Sequence, residues 1–166
     1  MKSRCLGAFL ISASLLSLHA TVKAEGKKDE ANGTLTLGDK TYKLQNAAAF
    51  ETKRGDKKRT AILLSEDPIE LDKLKAALKK NGNDDDYRVK GGHVKLIFDE
   101  NGELYQVIVN AAGVSVNEIG NDNFKAKATI KDGTAKGKAG MGKPDKFFEM
   151  EYKFEVEFDL KLTKPD

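Results

Sequence analysis

Tryptophan is absent from this 166-residue chain, and cysteine occurs once, as Cys5. Histidine occurs twice, as His19 and His93, and proline three times. A lone cysteine forms no internal disulfide. Because it sits at the start of the chain, everything after it lacks a thiol nucleophile and a thiolate metal ligand. One histidine in the body of the chain excludes the usual Cys/His zinc clusters. A Ser-His-Asp triad would have to use His93, and no nucleophile-elbow motif accompanies it. The glycines fall where turns are expected, and none belongs to a phosphate-binding loop. Long apolar runs are missing too. The only uncharged apolar stretch is Leu6–Leu18, short of the roughly 20 residues that a spanning helix needs, so no integral membrane span is expected.

That stretch has another reading. Lys2 and Arg4 precede it, and Val22-Lys23-Ala24 follows with small residues at the −3 and −1 positions. This is the pattern of a secretory signal peptide over residues 1–24, with Ala20 as an alternative cleavage point. Cys5 lies ahead of the apolar run, whereas a lipid-anchored protein carries its cysteine just after it. The expectation is a soluble exported protein, periplasmic or extracellular. The formal charge of +3 (29 basic against 26 acidic residues) then misleads. Lys2, Arg4 and Lys23 leave with the signal and the rest is neutral, which gives no general affinity for nucleic acid or anionic membrane. Residues 25–32 are polar and read as a flexible lead-in. Residues 33–166 suffice for one domain with its own core.

What the chain does have is alternation. In FEMEYKFEVEFDLKL, Phe148 to Leu162, every second residue is apolar and every residue between is charged. A period of two is a β-strand with one buried and one wet face. Fifteen residues at about 3.3 Å each would span about 50 Å, against about 17–20 Å for an ordinary strand. A strand this long bends, serves two sheets or curls in a barrel.

The remainder reads as hairpins around one helix. Thr34–Leu44 pairs Leu37 with Tyr42 and Leu35 with Leu44 if Asp39-Lys40 makes the turn, with a longer loop including Gly38 as the alternative because lysine is poor at positive φ. Ala47–Lys53 and Lys58–Ser65 form the next pair of strands. Asp67–Lys80 is a helix, with Asp67 as cap, Pro68 in the first turn, Glu70 completing a capping box and Asn81-Gly82 as the stop. Leu71, Leu74 and Leu78 form its apolar stripe, which plugs a barrel end or covers a sheet. His93–Asn110 turns at Asn101-Gly102 and pairs Phe98 with Tyr105, Leu96 with Val107 and Val94 with Val109. Ala111-Ala112-Gly113 breaks the phase as a turn or a bulge. Phe124–Met141 turns at Asp132-Gly133, with small residues on one face and lysines on the other. Lys127 and Lys138 stand opposite each other, which is unfavourable unless the acidic face of the long strand lies alongside. The fold class is mostly β: an antiparallel meander of nine or ten strands, a barrel or strongly curved two-layer sheet, with one helix over about 67–80.

Candidate sites follow from this frame. Ala126, Ala128, Gly137 and Ala139 form a small-residue face set against Tyr105, Tyr152, Phe154 and Phe158. Small beside large can leave an apolar pocket, unless the helix stripe fills it. Arg54, Lys57, Lys58 and Arg59 crowd the connection KRGDKKR, read either as an anion- or partner-binding loop or as a solvated hairpin tip. Asn83-Asp84-Asp85-Asp86 is rich in oxygen, but counting from Asn81 the EF-hand places for glycine and glutamate hold Asp86 and Gly92, so a solvated loop is the better reading. Paired carboxylates could serve a glycosidase, yet most alternate with apolar residues and face water. No catalytic residue, cofactor or metal is assigned.

The succession of hairpins with one helix resembles the calycin-type, lipocalin-like barrels of small exported binding proteins, over about residues 33–162 and without the Gly-x-Trp signature. The runs GTLTLGDKTYKL and AILLSEDPIELDKLKAAL are similar to a group of uncharacterised bacterial exported proteins. The first resemblance implies a non-enzymatic carrier enclosing a small apolar or amphipathic ligand. The alternatives are an envelope protein-interaction or structural module without a small ligand, and a carboxylate hydrolase.

Overall fold

The computed structural model describes residues 29–165; the expected signal peptide and Cys5 lie outside the described residues. Eleven strands and one helix follow in the order β1 (Glu30–Leu37), β2 (Lys40–Lys43), β3 (Asn46–Arg54), β4 (Lys57–Ser65), α1 (Leu71–Asn81), β5 (His93–Phe98), β6 (Leu104–Ala111), β7 (Val114–Ile119), β8 (Phe124–Lys131), β9 (Thr134–Met141), β10 (Asp145–Phe147) and β11 (Met150–Thr163). No helix among the described residues is long and apolar enough to cross a membrane.

The strands form one mixed sheet that does not close. It folds into two layers. The first runs β2-β1-β11-β9-β8, with β10 also on β11, and the second runs β3-β4-β5-β6-β7. β11 joins them. Most of its length pairs antiparallel with β1 and β9, and its last residues, Leu162 and Thr163, run parallel to Ala49 and Phe50 of β3. The long alternating strand therefore serves both layers.

Alternation decides what fills the space between them. Tyr152, Phe154, Val156, Phe158 and Leu160 of β11 are all buried, and they meet Ile62, Leu64, Val94, Leu96 and Phe98 from the second layer. The Phe98 and Phe158 rings stand 6.2 Å apart at 55°, within the range where tilted aromatic pairs attract. A second, smaller core lies on the far side of the second layer, where Leu74 and Leu78 of α1 cover Phe50, Ala61, Leu63 and Ile97. The helix thus covers one sheet and takes no part in the space between the layers.

The hairpin β8–β9 has the register its pattern predicts, with Ala126 opposite Ala139, Ala128 opposite Gly137 and Lys127 opposite Lys138. The acidic face of β11 relieves that lysine pair. Lys138 meets Glu157 at 3.0 Å and Lys136 meets Asp159 at 3.0 Å. Gly137 is required for the close approach, because a Cβ there would lie 2.4 Å from the Lys127 carbonyl oxygen.

Five expectations are corrected. In the first hairpin Leu35, not Leu37, pairs with Tyr42, because the turn is Gly38-Asp39 and Gly38 takes the left-handed φ of +56° that a lysine resists. β1 already begins at Glu30, inside the expected lead-in. α1 starts at Leu71, four residues late: Glu70 makes no side-chain cap, and its backbone N–H donates instead to the Tyr87 hydroxyl at 2.9 Å. Leu71 accordingly drops out of the buried stripe, and Ala77 joins Leu74 and Leu78. Phe98 pairs with Leu104, since the Asp99 carboxylate ties the amides of Asn101 and Glu103 into a wider loop and a bulge follows. Phe148 leaves the long strand. It sits at φ +54° in the turn after β10, 83% exposed, with its ring edge-on to Phe147. Ala112-Gly113, both with positive φ, is a turn.

The buried Tyr152 hydroxyl donates to Glu118 Oε1 at 2.8 Å and so ties β11 to β7 across the core. Burial, then the Glu118 carboxylate, raises its pKa well above the ordinary value. The folded state therefore keeps a proton that the unfolded chain releases above about pH 10, so this contribution is whole below that pH and is lost as pH rises beyond it. Urea midpoints taken between pH 8 and 11 should fall steeply for the wild type at the alkaline end. Tyr152→Phe should lower the midpoint by the equivalent of about 1 kcal/mol at pH 8 and flatten that alkaline slope. Equal slopes would show that Tyr152 titrates as if exposed.

Candidate functional site

α1 covers only part of the outer face of the second layer. The residues that β5, β6 and β7 send to that face beyond the helix are His93 and Lys95, then Gln106, Ile108 and Asn110, then Ser115 and Asn117. The helix leaves these only partly covered, and they form the floor of a cleft of about 790 Å³. One wall is the segment from Asp84 to Gly92. Lys40 and Tyr42 of β2 and the Ala112-Gly113 turn close the rim. Tyr87, Val89 and Ile108, partly buried against the helix-side core, make an apolar strip within it.

The wall is held by one buried carboxylate. Asp84 has 3% of its surface exposed. It accepts from Lys95 Nζ at 2.6 Å and from the Thr52 hydroxyl at 3.3 Å, with Arg54 at 3.6 Å. Arg54 also pairs with Asp85 at 2.6 Å. A buried ion pair contributes little net stability, but removing one partner strands the other, so it fixes where the loop sits. Arg88 donates to the carbonyls of Asp85 and Tyr87, which turns its head along the loop. His93 places Nδ1 3.2 Å from the Gly91 carbonyl oxygen. Burial lowers its pKa and the Lys95 charge adds to that, partly offset by the Gly91 carbonyl, so its imidazole stays neutral at pH 7. On the floor, Gln106 donates to Asn117 Oδ1 at 2.6 Å. Asp84 is occupied by three neighbours, so the arrangement offers hydrogen bonds and charge to a bound molecule. No group of three His, Cys, Asp or Glu among the described residues is disposed to hold a metal ion.

The residues expected from the sequence are placed elsewhere. Tyr152, Phe154, Phe158 and Ala139 are packed core, while Ala128 and Gly137 are half-buried. Ala126 is exposed, because β8 is the edge of its layer. Tyr105, displaced by the bulge, faces away from these residues, packs with the helix-side core and carries the Arg59 guanidinium 3.7 Å above its ring. The four cations of the connection are divided: Arg54 turns in to Asp84 and Asp85, Arg59 lies on Tyr105, and Lys57 and Lys58 remain exposed at the tip. The cleft was missed because its parts look like ordinary solvent-facing alternation. The signal was a polar face on β5 and β6 beside a helix too short to cover it.

Asp84→Asn should leave Lys95 buried without a counterion and cost about 3 kcal/mol, read as a shift of urea midpoint at constant slope. Asp84→Leu combined with Lys95→Met should recover most of that loss. A loss under about 0.5 kcal/mol in the single variant would mean that the pair is solvated. Compared with known proteins, the sequence matches no protein-family model and no curated protein.

Proposed function

We propose that this is an exported, non-enzymatic protein that binds a small amphipathic molecule in the cleft beside α1. The observation that carries the reading is the uncovered part of the second layer. Among the described residues the cleft is where an apolar strip, Tyr87, Val89 and Ile108, lies beside converging polar groups, Tyr42, His93, Gln106, Asn110 and Asn117, in a concave surface. Its volume of about 790 Å³ falls in the range of about 300–1,000 Å³ typical of small-molecule sites. The candidate ligand residues thus move from the space between the layers to the outer face. Export rests on the signal-like pattern of residues 1–24. The second reading, a partner-binding module, rests on Lys57 and Lys58, which stand exposed at the β3–β4 tip.

Native mass spectrometry of the protein, exported by a bacterial host and gently purified, should show a reproducible added mass that organic extraction removes. Asn110→Trp places an indole on the cleft floor and should abolish that mass while the protein still folds. A clean apo mass from the wild type, with Lys57→Glu/Lys58→Glu abolishing capture of an envelope protein, would replace the small-ligand reading with the partner one.

A further inference from the structure

The charges around the cleft select among amphipathic molecules. Four cations line it, Lys40, Arg54, Arg88 and Lys95, against two carboxylates, Asp84 and Asp85. Both carboxylates are already committed: Asp84 to Lys95 and Arg54, and Asp85 to Arg54. Lys40 and Arg88 are left over. Among the described residues neither forms an ion pair with a carboxylate, and Arg88 donates only to the backbone carbonyls of Asp85 and Tyr87. Lys40 stands on β2 and Arg88 on the opposing loop, and both line the same concave surface. The carboxylate of Asp86, which feels the Arg88 charge, is itself held by Lys80 and Asn81. A guanidinium and an ammonium outside any ion pair, on one concave surface, attract an anion.

Building on the proposed cleft, we infer that its ligand is a small organic anion, a single anionic head group on an apolar body, with the head held by Lys40 and Arg88 and the body laid over Ile108 and Val89. The committed ion pairs of Asp84 serve this selection in two ways. They keep the wall of the cleft in place, and they remove both carboxylates from competition with the ligand. A cationic amphiphile finds no unpaired carboxylate on the lining. A neutral one gains the apolar strip alone.

The test uses three probes of one chain length: octanoate, 1-octanol and octylammonium. Each is titrated into the isotope-labelled mature protein, residues 25–166, while amide shifts are followed at Ile108, Asn110 and Asn117. Octanoate should bind about tenfold tighter than octanol, the ratio that one charge-assisted hydrogen bond supplies, and octylammonium should bind most weakly. Raising the salt to 0.5 M should weaken octanoate and leave octanol alone. Lys40→Gln/Arg88→Gln, checked for folding by its thermal melt, should bring the octanoate-to-octanol ratio to about one. Equal affinity of octanol and octanoate for the wild type, or tighter octylammonium, would overturn the charge selection and leave the cleft as a binding site. Shifts at none of the three residues with any probe would overturn both.

Discussion

The fold depends on β11 being shared. Fourteen residues of strict alternation expose a row of backbone groups on each side and an apolar face too large to leave in water. β1 and β9 satisfy the two sides, and the five buried side chains from Tyr152 to Leu160 call for an opposing layer. The strand outruns its antiparallel partners, and at that end Leu162 and Thr163 take up β3 in parallel. This seam sets the second layer against the first. Every other strand pair is antiparallel and most join neighbours in the chain, so the architecture follows from hairpins once the seam is made.

The same economy explains why a cleft exists. The second layer is apolar on both faces only where the helix lies. β4 is buried throughout its inner half, Thr60 to Ser65, because one face meets the first layer and the other meets α1. β5 shows the transition within six residues: Ile97 is buried under the helix-side core, while Lys95 and His93 on the same face are only partly covered. An eleven-residue helix, about 16 Å long, reaches no further. The chain covers part of the rest with the loop from Asn83 to Gly92, which touches the layer through Asp84, Tyr87 and Val89 and leaves a cleft beside them.

Much of this frame is legible in the sequence, for a physical reason. Where one face is buried and the other solvated, a slip of one residue inverts every side chain, so the pattern determines the register. The β8–β9 hairpin and the pairs Leu96–Val107 and Val94–Val109 are of that kind. The misreadings sit where local chemistry and long-range contacts compete. Asp67, Pro68 and Glu70 look like a helix start, but the Tyr87 hydroxyl, seventeen residues on, takes the Glu70 amide and the helix waits until Leu71. Phe148 keeps the alternation and yet falls in a turn, because β10 pairs with β11 there and the chain must reverse. The site was least legible of all. His93, Lys95, Gln106 and Asn110 have the period of a wet strand face, and nothing in that period records that the loop before β5 stands beside them.

That loop is where stability and binding meet. A run of three aspartates repels itself and favours an open, hydrated conformation. Each acid here is paired with a cation, Arg54 being shared: Lys95 and Arg54 hold Asp84, Arg54 holds Asp85, and Lys80 with Asn81 holds Asp86. Two of these cations, Arg54 and Lys95, come from strands of the sheet itself, so the loop is fastened to the layer whose face it overhangs. Had the acids been left to water, the wall would be negative and mobile. Fastened as they are, they present backbone, Tyr87 and Val89 to the cleft, and Arg88 and Lys40 are its cations outside any ion pair. The acidic run that reads from the sequence as a solvated loop is, in the folded chain, paired with cations and part of the wall of the cleft.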